Sequence, residues 1–236
     1  MPDPHTPFRP PAPGSQPPHD VPAYGSTHRR HPTRAALKIP HTVTELTGPG
    51  FRPEHFAPLA DLSEHAGGRA QGERIIVAGT VRDEDGRPLP RTMLEIWQAN
   101  AAGRYHHPGD AHDAPLDPHF RGEGRVFTDA QGAYSFVTIK PGAYPWRNHA
   151  NAWRPNHIHF SLFGPGFAAR LITQMYFPGD PLLALDPIFL GVPDAAARAR
   201  LIAAFDLAVT RPEWGLGYRW DIVLRGRAAT PMETPA

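Results

Sequence analysis

ERIIVAGTVRDEDGRPLPRTMLEIWQA, residues 73–99, decides the fold. Its first part, Ile75 to Val81, is a short apolar run rich in β-branched side chains. Asp83-Glu84-Asp85-Gly86 is a turn signal. Met93 to Ala99 then alternates in the strand manner. The same grammar continues outward. Arg125 to Thr128, the turn Asp129 to Gly132 and Ala133 to Val137 read as a hairpin. His157 to Phe163, Leu171 to Phe177 and Tyr218 to Leu224 read as further strands. Only Asp194 to Val209, alanine-rich and with Asp194 placed to cap it after Pro193, reads as a helix. The expectation is a mainly β fold: a β-sandwich of mixed or antiparallel strands with long loops and one short helix in the C-terminal half.

The 236 residues suffice for one domain with a sizeable core. Residues 1–35 are rich in Pro and His and poor in large apolar side chains, so they are either disordered or ordered by packing on another surface. Residues 36–72 read as a connecting segment, and residues 73–236 as the β-sandwich domain.

Composition excludes several classes of function. Lys plus Arg is 24 against 23 Asp plus Glu, a net charge of +1, which argues against nucleic acid or an acidic membrane surface as partner. There is no cysteine, so disulfides, thiolate zinc sites, Fe–S clusters and thiol nucleophiles are ruled out, and any metal must be held by nitrogen and oxygen. The 14 histidines make that worth pursuing. The start, MPDPHTPFRP, has no signal-peptide pattern, and no run of 18 apolar residues occurs, so a cytoplasmic protein is expected.

The densest chemical signal is WRPNHIHF, residues 153–160. In a strand, His157 and His159 point to one side, which suits two metal ligands but equally suits an ordinary histidine pair. Arg154, amid Trp146, Trp153 and Asn148, either stacks on aromatic rings or presents charge to an anion. Tyr105 and Tyr144 lie in loops that follow strands, where sites gather, though a tyrosine with a buried ring and a wet hydroxyl needs no further role. Gln174 shares a strand face with Ile172 and Tyr176; in such surroundings it either lines a pocket or bonds to backbone.

The stretches EIWQANAAGRYHH, DAQGAYSFVTIKPGAYPWRN, WRPNHIHF, LITQMYFPGDPLL and YRWDIVLRG, in this order and spacing, resemble the intradiol ring-cleavage dioxygenases, and within them the beta chains of the protocatechuate-cleaving members. The resemblance runs from about Tyr24 to Arg225. It implies a non-haem Fe(III) held by Tyr105, Tyr144, His157 and His159, and cleavage by O2 of an aromatic diol between its two hydroxylated carbons. Tyr144 would be displaced by substrate and take up a proton; Arg154 would stabilise negative charge, with Gln174 beside it. Trp97, Trp146 and Tyr176 would wall the pocket, and Tyr24 would help bind a substrate carboxylate. The implied substrate is protocatechuate, with catechol, a substituted catechol or hydroxyquinol as the alternative; an iron-free alpha chain in a hetero-oligomer is the implied partner. A non-enzymatic alternative is a β-sandwich module using His-x-His for a structural metal.

Overall fold

The computed structural model describes residues 10–34, 55–163 and 171–233. In chain order the strands are β1 (Glu64–His65), β2 (Gly68–Arg69), β3 (Arg74–Arg82), β4 (Met93–Trp97), β5 (Glu123–Phe127), β6 (Ala133–Ile139) and β7 (Tyr144–Pro145). There follow β8 (Trp153–Arg154), β9 (His157–Phe163), β10 (Leu171–Tyr176), β11 (Ala204–Phe205), β12 (Leu216–Arg219) and β13 (Ile222–Val223). One layer is antiparallel, in the order β10-β9-β4-β5. The other is mixed: β3 pairs antiparallel with β6 and parallel with β12 and β13, and β11 joins β12. The expected mainly β sandwich is what forms.

Alternation places the core between the layers. Ile75, Val77, Val81 and Phe136 from the mixed layer meet Leu94, Ile96, Val126, Ile158, Phe160 and Leu162 from the antiparallel one. Each fully buried side chain of this kind contributes roughly 1.5–3 kcal/mol. The run His157–Leu162 is nonetheless buried on both faces. The second face, bearing His157 and His159, is covered by the segments that carry Tyr105, Tyr144 and Glu233 rather than by the other layer.

Three local expectations are corrected. The hairpin over residues 125–137 does not pair with itself. The turn is there, with Gly132 N–H donating to Asp129 O at 3.0 Å and Asp129 N–H to Ala133 O at 2.9 Å. But β5 pairs with β4 and β6 with β3, in opposite layers. Residues 59–62 occupy the edges that the two strands would have shared: Leu59 exchanges both backbone bonds with Arg125, and Val137 bonds Ala60 and Leu62. Leu62 then joins the core.

The helix expected over Asp194 to Val209 spans only Ala195–Ala199, with the Asp194 cap in place (Ala197 N–H to Oδ1, 2.6 Å). Leu201 and Ala203 leave the helix because the end of β10 captures them: Tyr176 N–H bonds Leu201 O at 2.8 Å and Ala203 N–H bonds Tyr176 O at 2.9 Å. Tertiary pairing overrides helix propensity here. Short helices at Thr27–Arg30 and Pro187–Leu190 had no expectation.

The strand expected at residues 218–224 is split into β12 and β13. At the break Asp221 Oδ1 accepts from Thr80 N–H at 2.7 Å, where a backbone carbonyl would otherwise stand. Beside it Trp220 packs its backbone against Gly79; a Cβ at position 79 would overlap Trp220 O.

The N-terminal arm, residues 10–34, lies on the sandwich. Gly14 O accepts from Asp194 N–H at 2.9 Å, and Asn148 clamps the arm by bonds to Gly25 N–H (2.9 Å) and Ala23 O (2.7 Å). Among the described residues no helix is long and apolar enough to cross a membrane.

Candidate metal centre and active site

The outer face of the antiparallel layer carries the site. Strand register sets Trp97, His159 and Gln174 side by side across β4, β9 and β10, and Tyr176 opposite His157. The Trp97 and His159 rings stack at 4.9 Å between centroids with planes 5° apart, which fixes the imidazole plane. Tyr144 and Arg154 are partners in the β7–β8 ladder.

Tyr105 arrives from the loop after β4. Asn100 organises that loop: its Oδ1 accepts from Ala102 and Arg104 N–H, each at 2.9 Å, and its backbone carbonyl accepts from Gly142 N–H at 2.9 Å. Gly103, at φ +78°, lets this loop close on the Tyr144 loop, because a Cβ there would strike Ala143 O. The two tyrosines thereby converge.

The phenol oxygens of Tyr105 and Tyr144 are 3.5 Å apart, Tyr144 Oη is 3.2 Å from His157 Nε2, and His157 Nε2 is 3.2 Å from His159 Nε2. The histidine contact is the informative one. His157 Nδ1 donates to Pro155 O at 2.6 Å, and His159 Nδ1 faces Glu233 Oε2 at 3.2 Å. With the protons on Nδ1, both Nε2 atoms present lone pairs to each other, an arrangement that a cation between them relieves. Burial, then the Arg154 charge and His159, push the His157 pKa well below its ordinary value, so its ring stays neutral.

The phenols point the same way. Burial first, then the neighbouring Tyr144, pushes Tyr105 well above 10; burial raises Tyr144 as well, against the pull of Arg154. The pocket by itself keeps both protonated, so phenolates here require a bound Lewis acid. Donors on one metal at bonds of about 2.1 Å lie within roughly 4.2 Å of one another. The successive Tyr105–Tyr144–His157–His159 separations meet that limit. Two oxygens and two nitrogens without sulfur suit a hard, highly charged ion, and this donor set fits ferric iron.

Around the four donors, Arg154 is held on several sides. Its Nε is 3.2 Å from Asp186 Oδ1; its Nη2 donates to Gln174 Oε1 at 2.5 Å and to Asp186 Oδ2 at 3.3 Å; its guanidinium lies 5.2 Å from the Trp146 ring. Of the two uses open to this arginine, stacking is present, and its charge is paired with the internal carboxylate of Asp186. Burial disfavours its charge, but Tyr176, Asp186 and Tyr144 outweigh that and hold its pKa above the ordinary value. Gln174 joins this cluster, its amide beside the Glu233 carboxylate, whose pKa it helps to hold down, and Trp146 Nε1 is a buried donor without a partner among the described residues. Tyr176 donates to Gln174 Oε1 at 2.9 Å. Tyr24, from the arm, sits 5.3 Å from the Trp146 ring with the Arg30 guanidinium 5.1 Å from its own.

Every candidate residue therefore lies in one neighbourhood. Two further residues there, Asp186 and Glu233, went unread in the sequence. Asp186 precedes Pro187 and looks like a turn residue; Glu233 lies in a Pro-flanked tail without periodicity.

Comparison with known proteins identifies the family. Residues 46–226 match the family model described as "Dioxygenase", and residues 8–42 match "Protocatechuate 3,4-dioxygenase beta subunit N terminal". The chain is 58% identical to a protocatechuate 3,4-dioxygenase beta chain of Burkholderia cepacia, over 93% of this chain and 94% of that one. It is 32% identical to a catechol 1,2-dioxygenase of Candida albicans, over 63% of this chain and 51% of that one. Among solved structures, the dioxygenase domain of a carbohydrate-binding fusion from Streptomyces sp. SirexAA-E superposes with a TM-score of 0.53 at 30% identity, over 76% of this chain and 94% of that one. The 3-chlorocatechol 1,2-dioxygenase of Rhodococcus opacus 1CP gives 0.55 at 25% identity, over 75% and 70%. With a two-layer fold, a tyrosine–histidine pocket on its outer face and a family match across most of its length, the chain belongs to the intradiol ring-cleavage dioxygenases.

Proposed function

We propose that this chain holds Fe(III) through Tyr105, Tyr144, His157 and His159 and cleaves protocatechuate with O2, between its hydroxylated carbons, to 3-carboxy-cis,cis-muconate. The observation that carries the reading is the opposed pair of Nε2 lone pairs at 3.2 Å, flanked by two phenols that burial alone would leave protonated. Ferric iron held by these four residues would supply the Lewis acidity that ionises the phenols and activates an aromatic diol toward O2.

The remaining steps belong to the chain's own residues. Tyr144 Oη, lying between Tyr105 Oη and His157 Nε2, is placed to leave the centre and take a proton from the incoming diol. Arg154, fixed by Asp186 and Gln174, supplies positive charge that needs no reorganisation as negative charge develops. Trp146 Nε1, a buried donor without a partner among the described residues, offers a hydrogen bond to a substrate oxygen, and Gln174 stands beside Arg154. Trp97 and Tyr176 wall the pocket and exclude water. Tyr24, beside Arg30 and Trp146, receives the substrate carboxylate.

The N-terminal match and the 58% identity to a beta chain support two further parts of the proposal. One is a partner alpha chain in a hetero-oligomer. The other is a division of labour in which residues 1–35 form an arm, 36–72 connect it to the sandwich and fill the layer edges at residues 59–62, and 73–236 hold the iron.

The test is optical. Protein loaded with ferric iron is expected to turn red by tyrosinate-to-iron charge transfer. Anaerobic protocatechuate should shift that band strongly and catechol weakly. Tyr105→Phe and His159→Ala should lose both iron and colour. A colourless loaded protein, or a Tyr105→Phe variant with undiminished colour, refutes the ligand set.

A further inference from the structure

We infer that Glu233 is a positioning residue for the metal centre, delivered to His159 by a C-terminal tail that the N-terminal arm holds in place. The inference rests on the iron-centre reading above and extends it to a residue beyond the matched range of 46–226.

The two histidines differ in what lies behind them. His157 Nδ1 bonds a neutral carbonyl, Pro155 O at 2.6 Å, whereas His159 Nδ1 faces a carboxylate, Glu233 Oε2 at 3.2 Å. A carboxylate behind an imidazole fixes the tautomer, orients the ring and makes Nε2 more electron-donating. Trp97 already fixes the plane of the same ring by stacking. His159 is therefore constrained in plane by one residue and in tautomer by another.

The tail that brings Glu233 is tied at each successive residue. Thr230 N–H bonds Val223 O at 2.8 Å, Pro231 O accepts from Thr173 Oγ1 at 2.7 Å, Met232 N–H bonds Gln16 Oε1 at 2.8 Å, and Glu233 N–H bonds Ile172 O at 2.9 Å. Chain ends are ordinarily loose unless something ties them down. These ties come from the edge of β10, from β13 and from the arm, and together they set a carboxylate against one ring nitrogen. The result is a relay from Gln16 through Met232 and Glu233 to His159, joining the arm to the metal centre.

The experiment uses the full chain and three variants: Glu233→Gln, Glu233→Asp and Gln16→Ala. The readouts are ferric affinity by chelator competition and the position of the charge-transfer band, with thermal unfolding of the iron-free protein as a check on folding. Glu233→Gln should bind iron about 10- to 100-fold more weakly, the usual scale for losing such a partner, and shift the band. Glu233→Asp should recover part of both effects. Gln16→Ala, which keeps the carboxylate but loosens the tail, should move both readouts the same way by less. Iron affinity within twofold of the unaltered protein and an unmoved band in Glu233→Gln overturn the role of Glu233 and leave the iron centre standing. An unaltered protein that takes up no iron and stays colourless overturns both readings.

Discussion

Arg154 and Asp186 meet in the interior, Nε to Oδ1 at 3.2 Å, with side-chain exposures of 4% and 0%. Asp186 also caps the Pro187–Leu190 helix by accepting from Ile188 N–H at 3.2 Å. Removing one partner of a buried ion pair strands the other, at a cost of about 3–5 kcal/mol. Asp186→Ala is therefore expected to lower the unfolding free energy by that amount, read from the urea midpoint. Arg154→Lys keeps the charge but not the fork that reaches Asp186 and Gln174 together, so kcat should fall at least about tenfold with a smaller loss of stability. A loss below about 1 kcal/mol in Asp186→Ala would show that the pair does not anchor the site.

Alkaline stability should follow Tyr134. Its hydroxyl donates to Trp220 O at 2.7 Å, and burial, reinforced by the Asp221 charge, raises its pKa well above 10. The sign follows from proton counts. Above about pH 10 the unfolded chain gives up this proton and the folded one keeps it, so the folded state binds more protons and stability falls as pH rises. Below that pH the contribution is fully present. The slope is about 1.4 kcal/mol per pH unit for each such proton. Tyr134→Phe should lose about 1 kcal/mol at neutral pH with its hydrogen bond, and then decline less steeply between about pH 10 and 11. Equal slopes in urea titrations of the two proteins would rule Tyr134 out as a source of the alkaline loss.

What could be read from the sequence was local. A short apolar, β-branched run in Ile75–Val81 and alternation in Met93–Ala99 identified strands, because both are local properties of a chain whatever it pairs with. The pairing itself was not readable. Val126 and Phe136 flank a sound turn, yet they lie in opposite layers, since residues 59–62, far away in sequence, fill the edges between them. The helix after Asp194 was right at its cap and wrong in length, for the cap is local whereas the capture of Leu201 and Ala203 by Tyr176 is not. In the site, histidines two apart announced themselves by strand period and the tyrosines by resemblance. Asp186 and Glu233 carry no such mark: a buried carboxylate is recognisable only by the cation or imidazole that the fold brings to it.

Gly79 tests the packing that positions β12 and β13. Its Cα lies against the backbone of Trp220, and a Cβ there would overlap Trp220 O. Backbone cannot yield as the tip of a side chain can, so Gly79→Ala should cost about 1–3 kcal/mol or more. Gly86 is the control: at φ +80° it has open space around a would-be Cβ, so alanine there carries only the strain of a left-handed backbone, about 1 kcal/mol. Thermal unfolding of the two variants should rank them in that order, and the reverse ranking would contradict the close approach.

Discrimination between protocatechuate and catechol should reside in the arm. Arg30, Tyr24, Trp146 and Arg154 form a run of cations and rings, with spacings of 5.1, 5.3 and 5.2 Å. Asn148 pins the arm on both sides of Tyr24 through Ala23 O and Gly25 N–H. A phenol held beside a guanidinium suits a carboxylate, which protocatechuate has and catechol lacks. A hydrogen bond to a charged group contributes about 1.5–3 kcal/mol, or roughly 10- to 150-fold in rate at limiting substrate. Tyr24→Phe should therefore lower kcat/KM for protocatechuate by a factor in that range and leave the value for catechol within about twofold. Because the substitution leaves the four donors untouched, colour and iron content should not change. An equal loss for both substrates would move Tyr24 from carboxylate recognition to support of the pocket wall through Trp146.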